Sequence, residues 1–192
     1  MQEDYILVKD FIDADTCRQM VAKLDDFFSK KYNLPPDSQC TISPAFYGIF
    51  NDESINFLPK IEKLVGKSLH PTYTYSRIYR TGEVLLPHKD RPACEYSFTL
   101  ALKYDKKIWP FYLQTDNGVN EIFLENGEIL IYKGTRDLHW RRPLLTEYNY
   151  QAFFHYVEQD GKFDNQKYDG HEKFLSTQEA LEELIRKKHV LQ

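Results

Sequence analysis

The sequence predicts an α+β fold that is mainly β, a sandwich or barrel with helices on one side. Three observations carry this. The chain holds 14 Tyr and 13 Phe among 192 residues, and both types favour strands. Between His70 and Val157, alternating or apolar runs are separated by turn signals about every eight to twelve residues, the rhythm of a sandwich or barrel. Before His70 and after Ser176, apolar residues recur instead at spacings of three and four, the helical period. Helices segregated in this way pack on one face of a sheet.

Each element has its own reason. Tyr5 to Val8 is a short apolar run and makes a first strand. Asp13 or Asp15 can cap the next helix, whose stripe is Cys17, Met20, Val21, Leu24, Phe27 and Phe28. Leu34-Pro35-Pro36 opens a loop. A second helix is expected over Glu53 to Val65, with Leu58, Ile61, Leu64 and Val65 buried, Pro59 tolerable only near its start and Gly66 as C-terminal cap. Thr72 to Tyr79 alternates, placing Tyr73, Tyr75, Arg77 and Tyr79 on one face. Arg80 to Glu83 turns the chain, and Val84-Leu85-Leu86 leads through Pro87 to His88. Further strands are expected at Tyr96–Tyr104, Trp109–Gln114, Ile122–Leu124, Glu128–Lys133, His139–Arg141 and Tyr148–Val157. Asp116-Asn117-Gly118, Asn126-Gly127 and Lys133-Gly134 are the turns between them. Asp160 to Gly170 is polar and irregular. Ser176-Thr177-Gln178-Glu179 is a capping box opening a last helix with Leu181, Leu184 and Ile185. The simplest division is one domain, with residues 1–68 as helical support, 70–158 as the β core and 159–192 as a C-terminal extension.

The bulk properties exclude several classes. A net charge of −4 without a basic tract disfavours nucleic acid as a partner. The N-terminus lacks the apolar run of a secretory signal, and no stretch reaches transmembrane length. Cys17, Cys40 and Cys94 are odd in number with no CxxC, and read as reduced thiols rather than a disulfide frame or zinc site. The expectation is a cytoplasmic protein with no membrane partner; its oligomeric state is not readable.

The chemistry centres on His88-Lys89-Asp90 and, about fifty residues on, His139. On an extended strand the first and third residues of His-x-Asp share a face. Two imidazoles and one carboxylate are the set that leaves half of an iron(II) coordination sphere open. A lone His-x-Asp pair is weak, since a surface His–Asp contact is its bland explanation. Here Pro87 and Pro92 bracket the pair and put it at a strand end. His139 follows the strand Glu128–Tyr132 and the turn Lys133–Asp137, at the start of the penultimate strand. That layout suits a barrel or jelly roll with a metal at one mouth.

Together, Tyr79 to Asp90, the strand Tyr96 to Leu102, Asn126-Gly127-Glu128-Ile129-Leu130-Ile131-Tyr132 through Leu138-His139-Trp140-Arg141, and Phe153-Phe154-His155-Tyr156-Val157 resemble the Fe(II)/2-oxoglutarate-dependent dioxygenase superfamily. Within it the chain is most similar to the prolyl-4-hydroxylase-like branch, in a form found in bacteria and phages. The opening Ile6–Ile12 and its Cys-containing helix resemble the usual start of such enzymes, and the resemblance covers roughly residues 5 to 158. It implies a double-stranded β-helix, a jelly roll or cupin-like barrel, with His88, Asp90 and His139 as catalytic iron ligands. It also implies 2-oxoglutarate and O2 as cosubstrates, and hydroxylation of an aliphatic C–H in a peptidyl proline, an amino acid or another small substrate, with succinate and CO2 as coproducts. Because Asp90 is retained, halogenation is not implied.

One departure stands out. The family usually places an Arg or Lys about ten residues past the distal His, on the last strand, to hold the far carboxylate of 2-oxoglutarate. Here that neighbourhood is Tyr148-Asn149-Tyr150, without a cation. Two substitutes are available: Arg141, which shares the face of His139 by strand parity, and Lys103 at the end of the Tyr96 strand. Arg141 is preferred, because its planar fork can pair both oxygens of a carboxylate. Arg142 should then face outward. Tyr79 either adds a hydroxyl to the cosubstrate carboxylate or packs in the core. Trp109, Phe111 and Trp140 read as core or rim residues, His155 as a hydrogen-bonded structural histidine, and Arg91 as solvated rather than bound to an acidic substrate group. His70, His171 and His189 carry no signal. The competing reading is a cupin-like metal-binding or non-oxygenase module without 2-oxoglutarate turnover. The two separate on whether Arg141 or Lys103 points toward the metal ligands.

Overall fold

In chain order the strands are β1 (Ile6–Val8), β2 (Ala45–Tyr47), β3 (Leu69–Arg80), β4 (Leu85–His88), β5 (Tyr96–Tyr104), β6 (Phe111–Thr115), β7 (Gly118–Ile122), β8 (Ile129–Tyr132), β9 (Leu138–Arg141) and β10 (Tyr148–Glu158). The helices are α1 (Ala14–Ser29), α2 (Asn51–Val65) and α3 (Thr177–Val190), in a computed structural model that describes residues 4–190. The side chain of His189 lies outside what is described. Six strands form one antiparallel sheet in the order β1-β8-β5-β10-β3-β2, and four form a second in the order β4-β9-β6-β7. This is the double-stranded β-helix expected of the sequence.

Strand periodicity divides the central strands β5 and β10 between two cores. Phe98, Leu100, Ala152, Phe154 and Tyr156 point outward into a cluster with Met20 and Leu24 of α1 and Ile61 of α2. The Phe98 and Phe154 rings stack there at 4.4 Å. The opposite faces of the two sheets close a second core around Tyr79, Ala101, Phe111, Leu113, Leu130 and Tyr132. The site described below opens from this inner core.

The helix signals act where the sequence placed them. The Asp13 carboxylate accepts the Thr16 amide at 2.7 Å and caps α1. Gly66 ends α2 in the left-handed region at φ 69°. Ser176 and Glu179 form the reciprocal capping box, with amide-to-side-chain distances of 2.8 and 3.2 Å.

Some expectations need correction. The helix α2 begins at Asn51, so Pro59 sits mid-helix rather than near the start. Pro59 is exposed, as is Ile55 four residues before it, so the carbonyl freed by the missing N–H faces water. The strand expected over Ile122–Leu124 instead ends at Ile122. The Asp116–Gly118 turn is tight enough for β7 to begin at Gly118 and pair residue by residue back to Ile122 against Phe111. The helical support region also contributes two edge strands: β1 adds to β8, and β2 adds to β3. The polar stretch after β10 holds a kinked 3-10 segment, Asp164–Gly170, in which Tyr168 and Asp169 lie in the left-handed region at φ 59° and 53°.

Candidate metal centre and its pocket

β4 and β9 pair antiparallel with His88 directly opposite His139. Their rings lie 4.2 Å apart. Two carbonyls fix which nitrogen each ring presents. His88 Nδ1 donates to Leu86 O at 2.7 Å, and His139 Nδ1 donates to Asp137 O at 2.9 Å. A carbonyl only accepts, so both Nε2 atoms carry free lone pairs. Both Nε2 atoms lie 3.5 Å from the same oxygen, Asp90 Oδ1. The three donor atoms therefore lie close enough together to hold one ion.

Asp90 lies two residues past the end of β4, and its amide donates to Gly134 O at 2.9 Å. Ser97 Oγ donates to Asp90 Oδ2 at 3.0 Å and lies 2.9 Å from His155 Nδ1. One oxygen of Asp90 thus faces the histidines while the other is held from behind. Burial alone would push the Asp90 carboxyl up, but the adjacent His139 and His88 rings hold it well below the usual carboxylate range. Burial opposes protonation of His88, yet the Asp90 carboxylate and the Leu86 carbonyl raise its pKa above the ordinary value. Burial depresses His155 to about 4, and its Nδ1 is hydrogen-bonded to Ser97.

The two candidate anchors part company. Arg141 is 2% exposed and lies on the inner face, its guanidinium carbon 4.8 Å from the Trp109 ring and 5.2 Å from the Phe111 ring. Phe111 in turn stacks on His139 at 5.5 Å, so one aromatic ring touches both the ligand and the cation. Arg141 Nη1 donates to the Trp109 carbonyl, while Nε and Nη2 are buried without a partner. Desolvation lowers the guanidinium pKa to about 10, partly opposed by Tyr79 and Tyr132. Lys103, by contrast, faces away. Inward alternation through Ser97, Thr99 and Ala101 predicts an inward Lys103, but a bulge in the pairing with β10 breaks the register after Ala101. Lys103 then shares the outer face of its partner Tyr150 and lies 5.5 Å from that ring.

Tyr79 is fully buried in the inner core, edge-on to Trp109 at 4.8 Å, and burial lifts its pKa well above the ordinary value. Trp109 and Phe111 are buried, Trp140 stacks outside on Tyr112 and Arg142 is exposed. Asn149, in the neighbourhood where the resemblance led to the expectation of a cation, is buried and accepts from Gln151 Nε2 at 2.8 Å. Arg91 is not simply solvated. Its guanidinium pairs with Asp169 at 2.6 Å and lies 4.3 Å from the Tyr73 ring. Asp169 comes from the polar stretch after β10, which single-residue signals could not place at this mouth.

A cavity of about 370 Å³ opens onto the triad. Tyr47, Tyr73, Tyr75 and Phe153 wall it, with Arg77 on one side. Arg77 donates to Asp37 at 2.6 Å, to the Tyr75 hydroxyl at 2.7 Å and to Ser43 O at 2.5 Å, tying the 33–44 loop across the wall. Ser97, Gly134 and Glu83 also shape this site and its covering loop. Gly134 was visible only as a turn signal, and the other two carry no local signal.

No family model matches the chain, and no curated protein matches it in sequence. Solved structures do share its fold. A prolyl-4-hydroxylase from Pseudomonas putida superposes with a TM-score of 0.66 at 11% identity, covering 82% of this chain and 94% of that one. A Trichoplax adhaerens prolyl hydroxylase, in complex with a peptide of the hypoxia inducible factor oxygen degradation domain, gives 0.69 at 11% identity, covering 85% and 87%. HygX from Streptomyces hygroscopicus, with nickel, 2-oxoglutarate and hygromycin B bound, gives 0.65 at 11% identity, covering 81% and 83%. The chain therefore has the fold of the 2-oxoglutarate–Fe(II) oxygenases, in a prolyl-4-hydroxylase-like form.

Proposed function

We propose that this chain is a single-domain Fe(II)- and 2-oxoglutarate-dependent oxygenase that hydroxylates an aliphatic C–H of a peptidyl proline, an amino acid or another small substrate. The observation that carries this reading is Arg141. A guanidinium buried with Nε and Nη2 unpartnered is costly unless an anion completes it. It shares strand β9 and one aromatic neighbour with His139, so a dicarboxylate that reached the metal ligands with one end would meet Arg141 with the other. The donor set fits as well: two imidazoles and one carboxylate suit Fe(II) and leave adjacent positions open.

On this reading His88 Nε2, His139 Nε2 and Asp90 Oδ1 hold the metal. Arg141 pairs the far carboxylate of 2-oxoglutarate through two parallel donors, and Tyr79 stands beside it. Iron with 2-oxoglutarate and oxygen supplies an oxidant for an unactivated C–H, giving succinate and carbon dioxide as coproducts. The protein's part is positional. Ser97 and the Gly134 carbonyl fix Asp90, Phe111 and Tyr132 keep the His139 ring dry, and the tyrosine wall orients the substrate C–H toward the open side of the triad. The test is succinate formation by purified protein given Fe(II), 2-oxoglutarate and oxygen. Iron-dependent succinate release is expected even without substrate, at a slow rate. Folded, metal-loaded protein that releases none would favour a non-oxygenase metal module.

A further inference from the structure

We infer that Cys94 and Tyr73 form a self-modification site, joined by a thioether bond when the protein turns over 2-oxoglutarate without substrate. The inference rests on the oxygenase reading above. The Tyr73 hydroxyl lies 3.1 Å from Cys94 Sγ. Sγ also belongs to a cluster with an Asp90 carboxylate oxygen and a His155 ring nitrogen, all within 4.8 Å of one another. The thiol therefore borders the carboxylate that holds the metal.

The pair is held in place from both sides. Tyr73 Oη belongs to a ring packed 4.6 Å from His155 and stacked 5.3 Å from Tyr47, with the Arg91 guanidinium 4.3 Å away. The Thr72 hydroxyl donates to Ala93 O at 2.7 Å and ties β3 to the short turn that carries Cys94. The ring cannot swing away without breaking these contacts. Burial raises the pKa of both the thiol and the phenol, so both are neutral. A neutral, buried thiol is a poor nucleophile toward outside reagents. Its S–H bond is nevertheless weaker than an unactivated aliphatic C–H, and on the oxygenase reading it lies beside a site that removes hydrogen atoms.

The balance closes with the cosubstrates alone. The Cys94 S–H bond and the ring C–H ortho to the Tyr73 hydroxyl break, and one C–S bond forms. The two hydrogens and two electrons go to one atom of O2, which leaves as water. The other oxygen atom enters succinate as 2-oxoglutarate loses carbon dioxide. The product fixes β3 to the turn after Asp90 and makes that wall of the pocket rigid.

The full chain is loaded with Fe(II) under anaerobic conditions, given 2-oxoglutarate and exposed to air without substrate. Intact mass is expected to fall by two hydrogens. Digestion should give a peptide containing Tyr73 joined to one containing Cys94, stable to thiol reductant, which would cleave a disulfide. Cys94→Ser and Cys94→Ala should abolish both signals while keeping the anaerobic chelate absorption, which shows that the site is intact. Unlinked peptides from protein that shows the chelate band and releases succinate would overturn the inference and leave the function standing. A gain of oxygen on either residue, or a link formed equally with chelator present, would also overturn it. Absence of the chelate band and of succinate would instead remove the reading on which it rests.

Discussion

Asp90 is seated against Gly134. A β-carbon at position 134 would collide with the Asp90 carboxylate and come within 2.6 Å of both Ser97 Oγ and Cys94 O. The φ of Gly134 is not in the left-handed region, so the requirement is space rather than backbone freedom. Gly134→Ala should therefore fold but displace Asp90, weakening metal binding by about 10- to 100-fold. Calorimetric titration with Mn(II) or Co(II) measures this, and unchanged affinity would mean that the carboxylate is not the third ligand.

Arg141 predicts a split between stability and function. Arg141→Met removes a buried cation with two unpartnered nitrogens while keeping an apolar stem against Trp109 and Phe111. The apo protein should be as stable as wild type or more so, by about 1 kcal/mol or more. Stabilisation by 2-oxoglutarate should vanish, whereas wild type at about 100 times Kd gains about 2.7 kcal/mol. Lys103→Met should keep that gain. Thermal melts with and without cosubstrate read all three, and a loss confined to the Lys103 variant would reverse the assignment.

Glu83 makes a prediction about the loop over the pocket. It is fully buried, and its carboxylate accepts the amides of Thr41, Ile42 and Ser43 at 3.1, 2.9 and 2.6 Å. Glu83→Ala leaves these donors without a partner and should cost about 3 kcal/mol. Urea denaturation should show the loss, and limited proteolysis should cut first within 33–44. A resistant loop would show that Arg77 and Asp37 alone retain it.

The His88 pKa sets a pH dependence for metal binding. Its apo value is raised, and the metal needs the neutral ring. Protons therefore compete with metal below that raised pKa and are released when metal binds. Affinity should fall, approaching about tenfold per pH unit, as the pH drops below that raised pKa, and level off above it. A profile flat across that window would contradict the assignment of His88 Nε2 as a ligand.

Much of this site was legible because its logic is local. His88 and Asp90 sit at a strand end bracketed by prolines, as the spacing suggests. Asp90 nevertheless lies beyond β4 and is placed by Gly134 and Ser97 rather than by strand parity, whereas Arg141 needs only parity with His139. Asp13, Gly66 and the Ser176–Glu179 box act within one helical turn, where sequence spacing equals contact. What escaped reading depends on register or on distant segments. Lys103 has the right parity on paper, and one bulge turns it outward. Pro59 lies mid-helix because the exposed side of α2 tolerates a missing donor. Asp169 reaches Arg91 across 78 positions, and Glu83 holds a loop some forty residues earlier, pairings that no periodicity encodes.

On the proposed reading, His88, Asp90 and His139 hold iron with Arg141 anchoring a 2-oxo acid beside it. The most direct test of that reading is anaerobic titration of the purified chain with Fe(II) and then 2-oxoglutarate, followed in the visible range. A saturable charge-transfer band is expected in wild type, absent in His88→Ala and shifted to far higher 2-oxoglutarate concentration in Arg141→Ala. Folded, iron-loaded wild type that develops no band would contradict the account.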